Sequence, residues 1–272
     1  LSIKKDILCS ERYKEKILLI KKELKKGNSY QINFTMPKIF NTGASPLEIY
    51  LAIRQSVKPD FGYYLNMGQH YILSFSPEEF FHTQGNIIKT YPMKGTRPRG
   101  ASLQQDQLLK EELKNSIKDK AEHLMIVDLL RNDIGKICEY ETVKVKDLFK
   151  VNSYPTIHQM VSCVYGTLKD KITHTDILKA LHPGGSVTGA PKESSMKIID
   201  QLEDYNRGIY TGAIGYIDDV GDMYFNMAIR TLSIYNKKAQ YGVGGGIVWK
   251  SNDQDEWAEA QLKSKILQDY IY

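Results

Sequence analysis

The spacing of apolar and polar positions predicts helices interleaved with short strands. Ile17, Ile20 and Leu24 recur at helical spacing among lysines and glutamates, and this pattern ends at Gly27. Alternating runs rich in tyrosine, isoleucine and phenylalanine predict strands instead. Helices are predicted over residues 11–26, 47–56, 103–131 in two pieces, 177–181, 192–203 and 253–272. Strands are predicted over residues 30–35, 63–66, 71–75, 86–90, 143–145, 160–167, 212–217, 224–234 and 240–243.

The order of these elements predicts the fold class. Strands occur in hairpins, such as residues 63–66 and 71–75 across a turn at 67–69, and helices interrupt the hairpins. Such grouping favours an α+β fold with antiparallel sheet over a repeated strand–helix–strand array. Because the chain contains no low-complexity linker and no internal repeat, we expect a single domain over residues 1–272.

Composition narrows the functional classes. Of 272 residues, 42% are hydrophobic and 25% charged, as in ordinary globular proteins. A formal charge of +5 is too small and too dispersed to favour nucleic acid, but it suits a small anionic substrate. The three cysteines, Cys9, Cys138 and Cys163, have no CxxC spacing, so we expect neither a disulfide framework nor a zinc site. No apolar run is long enough for a membrane span, and we expect a reducing, cytoplasmic setting.

The segment 91–100 carries the chemistry that decides the reaction. Its sequence, YPMKGTRPRG, brackets Lys94 with prolines and glycines and predicts a turn with Lys94 at its crest. An amine held in a rigid loop becomes a nucleophile when its surroundings favour the neutral form. The alternative is a solvated turn lysine beside a basic surface run.

Carboxylates on two predicted helices suggest a cation site. Glu256, Glu259 and Lys263 share one face of the last helix, and Glu122 precedes an apolar run in the middle helix. If the two helices face each other, these oxygens form a site for a hard, hydrated cation such as Mg²⁺. The alternative is a set of exposed helix charges stabilised by local pairing.

Two glycine-rich segments and one histidine are further candidates. Residues 242–246 fit neither a dinucleotide nor a P-loop pattern, and they predict a strand end whose backbone N–H groups bind a carboxylate, or merely a tight bend. Residues 183–192 form a loop that leads into a helix N-terminus, where anions bind readily. His158 is either a core histidine or a group that orients a bound acid.

Taken together, nine segments resemble the chorismate-utilising enzymes, a family that includes the first components of anthranilate and aminodeoxychorismate synthases and the isochorismate and salicylate synthases. The resemblance implies the family's fold, two antiparallel sheets flanked by helices, with a shortened amino-terminal portion. The matching segments, in family order, are residues 29–35, 76–78, 92–100, 122–133, 154–166, 183–203, 207–217, 225–232 and 242–265.

The resemblance implies a branch of the family and two catalytic residues. Anthranilate synthases carry alanine where this chain has Lys94, whereas a lysine there is similar to aminodeoxychorismate synthase. In that enzyme the amine is thought to attack chorismate at C2 while the C4 hydroxyl leaves. Glu78 matches the general acid of the family and would need to hold its proton near neutral pH. Gln31 replaces the lysine that activates water in the hydrolytic branch, and an amide cannot take that proton.

The resemblance also implies ligands and partners. Mg²⁺ is expected on Glu122 and Glu259, with Glu256 as a nearby or water-mediated ligand. Ammonia is expected from a separate glutamine amidotransferase subunit, and the product, 4-amino-4-deoxychorismate, leads to p-aminobenzoate and folate. The expected substrate contacts are Gln31, Thr96, His158, Thr188, Tyr210, Arg230, Gly244, Gly245, Gly246 and Lys263.

Two rival functions remain open at this point. One is an anthranilate synthase component I-like enzyme that has acquired lysine at position 94. The other is a non-catalytic chorismate-binding subunit, against which the presence of Glu78, Glu122 and Glu259 argues.

Overall fold

The structure is a computed structural model that describes residues 2–3, 9–155, 157–264 and 267. Its helices are α1 (Ser10–Lys25), α2 (Pro46–Val57), α3 (Leu103–Asn115), α4 (Ile117–Gly135), α5 (His174–Leu181), α6 (Lys192–Leu202) and α7 (Asp253–Ser264). Its strands are β1 (Ser2–Ile3), β2 (Gln31–Asn41), β3 (Phe61–Met67), β4 (His70–Ser76), β5 (Glu79–Gln84), β6 (Ile87–Thr90), β7 (Met93–Pro98), β8 (Lys144–Ser153), β9 (Ile157–Thr167), β10 (Gly189–Ala190), β11 (Ala213–Ile217), β12 (Met223–Met227), β13 (Thr231–Tyr235) and β14 (Lys238–Val248).

The chain forms two compact units. The first comprises residues 1–78, 183–214 and 226–272, and the second comprises residues 79–182 and 215–225. Each unit contains most or all of one sheet, so the α+β prediction with two antiparallel sheets is confirmed. That residues 1–272 act as a single chorismate-binding domain stays a prediction.

The first unit is built on a sheet with the order β1-β2-β14-β13-β4-β3, and β10 also pairs with β2. The long strands β2 and β14 pair antiparallel, from Asn41 opposite Lys238 at one end to Gln31 opposite Val248 at the other. Helix α1 packs its apolar stripe, Tyr13, Ile17 and Ile20, into the core of this unit. Burial of that stripe fixes the helix on the sheet.

The second unit is built on a sheet with the order β11-β12-β5-β6-β9-β7, and β8 also pairs with β9. Helices α3 and α4 pack on this sheet. Each begins with a serine N-cap: the Ser102 hydroxyl accepts from Gln105 N–H, and the Ser116 hydroxyl accepts from Asp119 N–H. Ser116 ends α3 and starts α4, which confirms the prediction of a helix in two pieces.

Several sequence-based assignments differ from the structure. The segment around Lys94 is strand β7 rather than a turn. Among the described strands β7 pairs with β9 alone, so it is an edge strand. An edge strand tolerates proline, because one side of it makes no ladder hydrogen bonds. The single strand predicted over residues 224–234 is two strands, β12 and β13, in different sheets. The break falls near Arg230, whose φ is +48°.

The glycine run 244–246 lies inside β14 instead of following a strand end. Glycines disfavour strand interiors, which is why the sequence pattern placed the end of the strand at residue 243. The last helix extends to Ser264, and the rest of its predicted span, apart from Leu267, lies outside the described residues. Within the described part of the chain, no helix combines the length and apolarity needed to cross a bilayer.

Candidate active site

Lys94 lies at an irregularity of the edge strand β7. It pairs with Met160 of β9, Thr96 pairs with the next residue, Gln159, and Gly95 is the extra residue between them. This bulge has a φ of +76° at Gly95, a conformation that favours glycine. The bulge thus interrupts the ladder next to the amine, which is half buried, while Thr96 is exposed.

A buried histidine accompanies Lys94 in the second unit. His123, on α4, has no exposed surface, and its Nε2 lies 2.7 Å from Ser162 Oγ on β9. Its Nδ1 is buried with no hydrogen-bond partner among the described residues. Burial, together with the nearby charge of Lys94, lowers the pKa of His123 to about 4. His123 is therefore neutral at pH 7 and adds no positive charge beside the amine.

Glu78, the predicted acid, follows β4 in a short loop of the first unit. The Ser76 hydroxyl accepts from the Glu78 backbone N–H at 3.1 Å, and Met227 N–H donates to the Glu78 carbonyl at 3.0 Å. The Ser186 hydroxyl donates to Glu78 Oε1 at 3.4 Å. Backbone bonds on both sides of the residue hold this carboxyl in place, and it is only partly exposed.

Gln31 has a buried donor that nothing in the described part of the chain satisfies. Its side chain is 1% exposed, and its Nε2 has no hydrogen-bond partner. A Cβ placed on Gly246 would lie 2.8 Å from that nitrogen, so the glycine is what lets the amide pack directly against β14. Because an unpaired buried donor is costly, this nitrogen is suited to a ligand oxygen or a water.

The three charged groups predicted on one face of α7 do converge. A Cβ on Gly245 would lie 3.3 Å from Glu256 Oε2, 3.7 Å from Glu259 Oε1 and 3.8 Å from Lys263 Nζ. Lys263 Nζ donates to Glu259 at 2.7 Å and to the Gly244 carbonyl at 2.8 Å. Gly245 therefore faces two carboxylates and one amine of α7, and a side chain at this position would crowd them.

This arrangement fits part of the predicted cation site. Glu256 and Glu259 offer oxygen ligands of the kind that Mg²⁺ prefers. Glu122 lies in the second unit, where Lys118 is 4.0 Å away across one helical turn. No group of three or more His, Cys, Asp or Glu side chains within the described ranges is arranged to hold a metal ion.

His158 has both ring nitrogens engaged inside the second unit. Nε2 lies 3.0 Å from Asp106 Oδ1, and Nδ1 lies 3.0 Å from Ser153 Oγ. The Arg99 guanidinium binds the same carboxylate in a bidentate pair, at 2.7 and 2.9 Å. The Arg99 hydrogen bond is the main reason that the pKa of Asp106 lies well below its usual range. In this arrangement His158 is a satisfied buried histidine, and its contact with the substrate ring stays a prediction.

The remaining substrate candidates lie in the first unit. Thr188 is buried, its hydroxyl donates to the Gly184 carbonyl at 2.9 Å, and its own carbonyl accepts from Asn33 N–H of β2 at 2.8 Å. Tyr210 packs so closely on Gly242 that a Cβ there would lie 2.1 Å from its ring. Arg230 is exposed and lies in the left-handed region.

The sequence does not predict three further groups with buried polar contacts. His123 directly precedes an apolar run in α4, and Asp106 is one of many polar residues in α3, so no sequence pattern singles out either residue. Arg207 and Glu203 form a buried ion pair at 2.7 Å, with side chains 14% and 3% exposed. Their i,i+4 spacing was the available signal, but that spacing is equally common on solvated helix surfaces.

Two of the three cysteines, Cys138 and Cys163, are poor candidates for a nucleophile. Cys138 is buried, and burial raises the pKa of its thiol to about 11. Burial also raises the pKa of Cys163, which is half buried. A thiol attacks as the thiolate, so these two residues are unsuited to glutamine hydrolysis.

Known proteins resemble this chain along almost its whole length. The profile of the family described as "chorismate binding enzyme" matches residues 2–269. Anthranilate synthase component 1 of Saccharolobus solfataricus is 42% identical over 248 residues, which cover 91% of this chain and 59% of that protein. Aminodeoxychorismate synthase component 1 of Escherichia coli is 39% identical over 252 residues, which cover 93% of this chain and 56% of that protein.

A solved structure has the same fold. The crystal structure of anthranilate synthase component I from Streptococcus pneumoniae superposes with a TM-score of 0.89 at 31% identity, covering 97% of this chain and 59% of that one. The chain thus spans a little over half the length of these relatives. On this match in sequence and fold, the chain belongs to the chorismate binding enzyme family.

Proposed function

We propose that this chain is the chorismate-aminating component of an aminodeoxychorismate synthase. The observation that carries the proposal is Lys94, an amine on an edge strand, beside a glycine bulge and a neutral buried histidine. Relatives named aminodeoxychorismate synthase, at 39% identity in Escherichia coli and 40% in Arabidopsis thaliana, support it.

In the proposed reaction, Lys94 acts as a covalent nucleophile. The neutral Nζ forms a bond to C2 of chorismate, both ring double bonds shift by one position, and the C4–O bond breaks. Glu78 gives its proton to the departing hydroxyl, which leaves as water. Ammonia then forms a bond to C4 while the C2–N bond to Lys94 breaks, and the surplus proton of the new ammonium returns to Glu78. The net change is chorismate plus ammonia to aminodeoxychorismate plus water.

Polar groups of the first unit are proposed to bind the substrate. Gln31 would donate a side-chain N–H to a substrate oxygen, since this buried nitrogen has no partner among the described residues. Lys263, whose amine lies close to Gly245, would bind a carboxylate of the substrate. We propose Arg230 and Tyr210 as further groups for the same carboxylate, because a guanidinium binds such a group in a bidentate manner.

Mg²⁺ is the proposed cofactor, with Glu256, Glu259 and Glu122 as its ligands. When bound, the ion would hold the ring carboxylate and offset negative charge during the displacement. The two oxygens of α7 that face Gly245 support the first two ligands. Lys263, which pairs with Glu259, would be free to bind the substrate once the ion holds that carboxylate.

We propose a glutamine amidotransferase subunit as the source of ammonia. Several relatives carry "component 1" in their names, which implies a second component in those proteins. The raised pKa values of Cys138 and Cys163 argue against glutamine hydrolysis by these thiols.

Product analysis tests the assignment. The chain is incubated with chorismate, Mg²⁺ and ammonium, and the products are separated and weighed by mass spectrometry. We expect a non-aromatic aminodeoxychorismate that retains the enolpyruvyl group, and no product after chelation of the metal. Binding of chorismate without any product would instead favour a non-catalytic subunit.

The runner-up is an anthranilate synthase-like reaction, which the 42% identity to the Saccharolobus solfataricus protein favours. Direct formation of anthranilate in the same assay would replace our assignment with this one.

The variant Lys94→Ala tests the covalent mechanism: loss of the nucleophile should lower the rate roughly a hundredfold or more, with chorismate affinity retained. Lys89→Ala, on the adjoining strand β6, is the matched control. A full rate in Lys94→Ala would mean that ammonia attacks directly.

A further inference from the structure

One guanidinium in the first unit is bonded to three separate segments of the chain. Arg207 donates from Nη2 to the Asn33 carbonyl of β2 at 2.7 Å. From Nη1 it donates to the Val187 carbonyl at 2.8 Å and to Thr211 Oγ1 at 3.3 Å. These acceptors belong to β2, to the loop 183–191 and to the turn 207–212.

Each of these segments carries a proposed substrate contact. Strand β2 begins at Gln31, two residues before the Asn33 carbonyl. Val187 is adjacent to Thr188 in the loop. In the turn, Tyr210 N–H donates to the carbonyl of Arg207 itself at 3.2 Å. The guanidinium thus connects the three backbone segments that carry Gln31, Thr188 and Tyr210.

Glu203 fixes the guanidinium from the opposite side. Its two oxygens accept from Arg207 Nε and Nη2, both at 2.7 Å, in a bidentate pair. Glu203 Oε1 also accepts from the backbone N–H and the hydroxyl of Thr35, at 2.7 and 2.8 Å. Burial alone would lower the pKa of Arg207, but the hydrogen bond and charge of Glu203 raise it. The cation therefore stays charged in a nearly buried position.

The contacts leave no donor of Arg207 for a ligand. The guanidinium has five N–H groups, and the five bonds described above use them all. Its side chain is 14% exposed. Arg207 is therefore suited to act through its neighbours and not by touching the substrate.

We infer that Arg207, held by Glu203, is a positioning residue for chorismate: it sets the loop of Thr188 and the turn of Tyr210 against β2. The inference rests on the proposed binding roles of these residues and not on which product is formed. Lysine cannot replace it, because a single ammonium lacks the planar fork that reaches three segments and a carboxylate together.

The test compares Arg207→Lys with the wild type in chorismate affinity, KM, kcat and thermal unfolding. We expect the dissociation constant and KM for chorismate to rise about tenfold or more, since charge-assisted bonds that order the binding loops are lost. We expect kcat at saturating chorismate to change much less. Arg131→Lys is the matched control, because Arg131 is exposed and bonds to Asp128 one turn away on the same helix.

A purely structural role would give a different result. It would lower the unfolding temperature and the amount of active protein, and therefore the apparent kcat. The protein that remained folded would bind chorismate with unchanged affinity, and that outcome overturns the inference. If Arg207→Lys does not fold, Glu203→Gln serves instead, since it keeps the guanidinium but weakens its anchor, and unchanged affinity in it likewise overturns the inference. Calorimetric binding of chorismate needs no turnover, so an unexpected product would refute the proposed amination and leave this result standing.

Discussion

Gly95 forms the bulge next to Lys94, and its backbone lies in the left-handed region. At its φ of +76° a residue with a Cβ is strained by roughly 1–2 kcal/mol. The added carbon would also lie 2.9 Å from Leu113 Cδ1 of α3 and 3.0 Å from Asp119 of α4. Both effects act on the residue next to the proposed nucleophile.

We therefore expect Gly95→Ala to lower the free energy of unfolding by roughly 2 kcal/mol and to reduce turnover by more than the loss of folded protein explains. Urea unfolding and steady-state rates measure the two effects. Gly43→Ala is the control, because a Cβ at Gly43 meets nothing within 4 Å. An unchanged rate per folded molecule in Gly95→Ala would show that the bulge does not set the position of the amine.

One carboxylate, that of Asp106, joins helix α3 to the segment that follows strand β7 and to strand β9. Asp106 Oδ1 accepts from Arg99 Nε at 2.7 Å and from Gly100 N–H at 2.8 Å, and it lies 3.0 Å from His158 Nε2. These contacts hold the pKa of Asp106 below its ordinary value, so the ionised form is favoured in the folded state. The carboxylate thus stabilises the fold above its unfolded pKa of about 4, and this contribution is lost as the pH falls further.

Asp106→Asn should accordingly unfold more easily than the wild type at pH 7, and the difference should shrink as the pH falls below about 4. Chemical unfolding at a series of pH values measures it. Asp128→Asn is the matched control, because Asp128 is exposed and pairs with Arg131 in its own helix. A difference that stayed constant from pH 7 to pH 3 would mean that ionisation of Asp106 does not contribute.

The elements also show what sequence patterns can predict. The apolar spacing of residues 11–26 predicted helix α1 correctly. All of its buried residues lie on one stripe that packs on one core, so the helical period of the sequence is sufficient. Strand β7 does not follow, because prolines and Gly95 mask it, and only pairing with β9 makes it a strand. The interior of β14 is hidden for the same reason, since the glycines at 244–246 are stabilised by the partner strand β2.

The candidate site likewise contains features that the sequence predicts and features that it does not. The shared face of Glu256, Glu259 and Lys263 is a local helical property, so spacing predicted it correctly. Contacts between distant segments, such as Asp106 with His158, depend on the packing of α3 against the sheet. No local pattern encodes such a pairing, and it becomes visible only when the elements are assembled.

For the whole molecule, the properties of two cysteines bear on the proposed source of nitrogen. Cys138 and Cys163 have raised pKa values, so neither is suited to attack the glutamine amide. Free ammonia needs no such attack, and it is the species that bonds to C4 in the proposed reaction. The rate should therefore depend on the unprotonated fraction of the ammonium supplied.

We expect the purified chain to form product with ammonium and chorismate, faster as the pH rises and more ammonia is unprotonated, and to form none with glutamine alone. Addition of a glutaminase subunit should restore use of glutamine; release of glutamate and appearance of product report the two half-reactions separately. Cys138→Ala and Cys163→Ala should leave the ammonium-dependent rate unchanged, since neither thiol takes part in it. Turnover with glutamine by the chain alone would show that it carries its own amide-hydrolysing site, and would remove the reason to propose a partner.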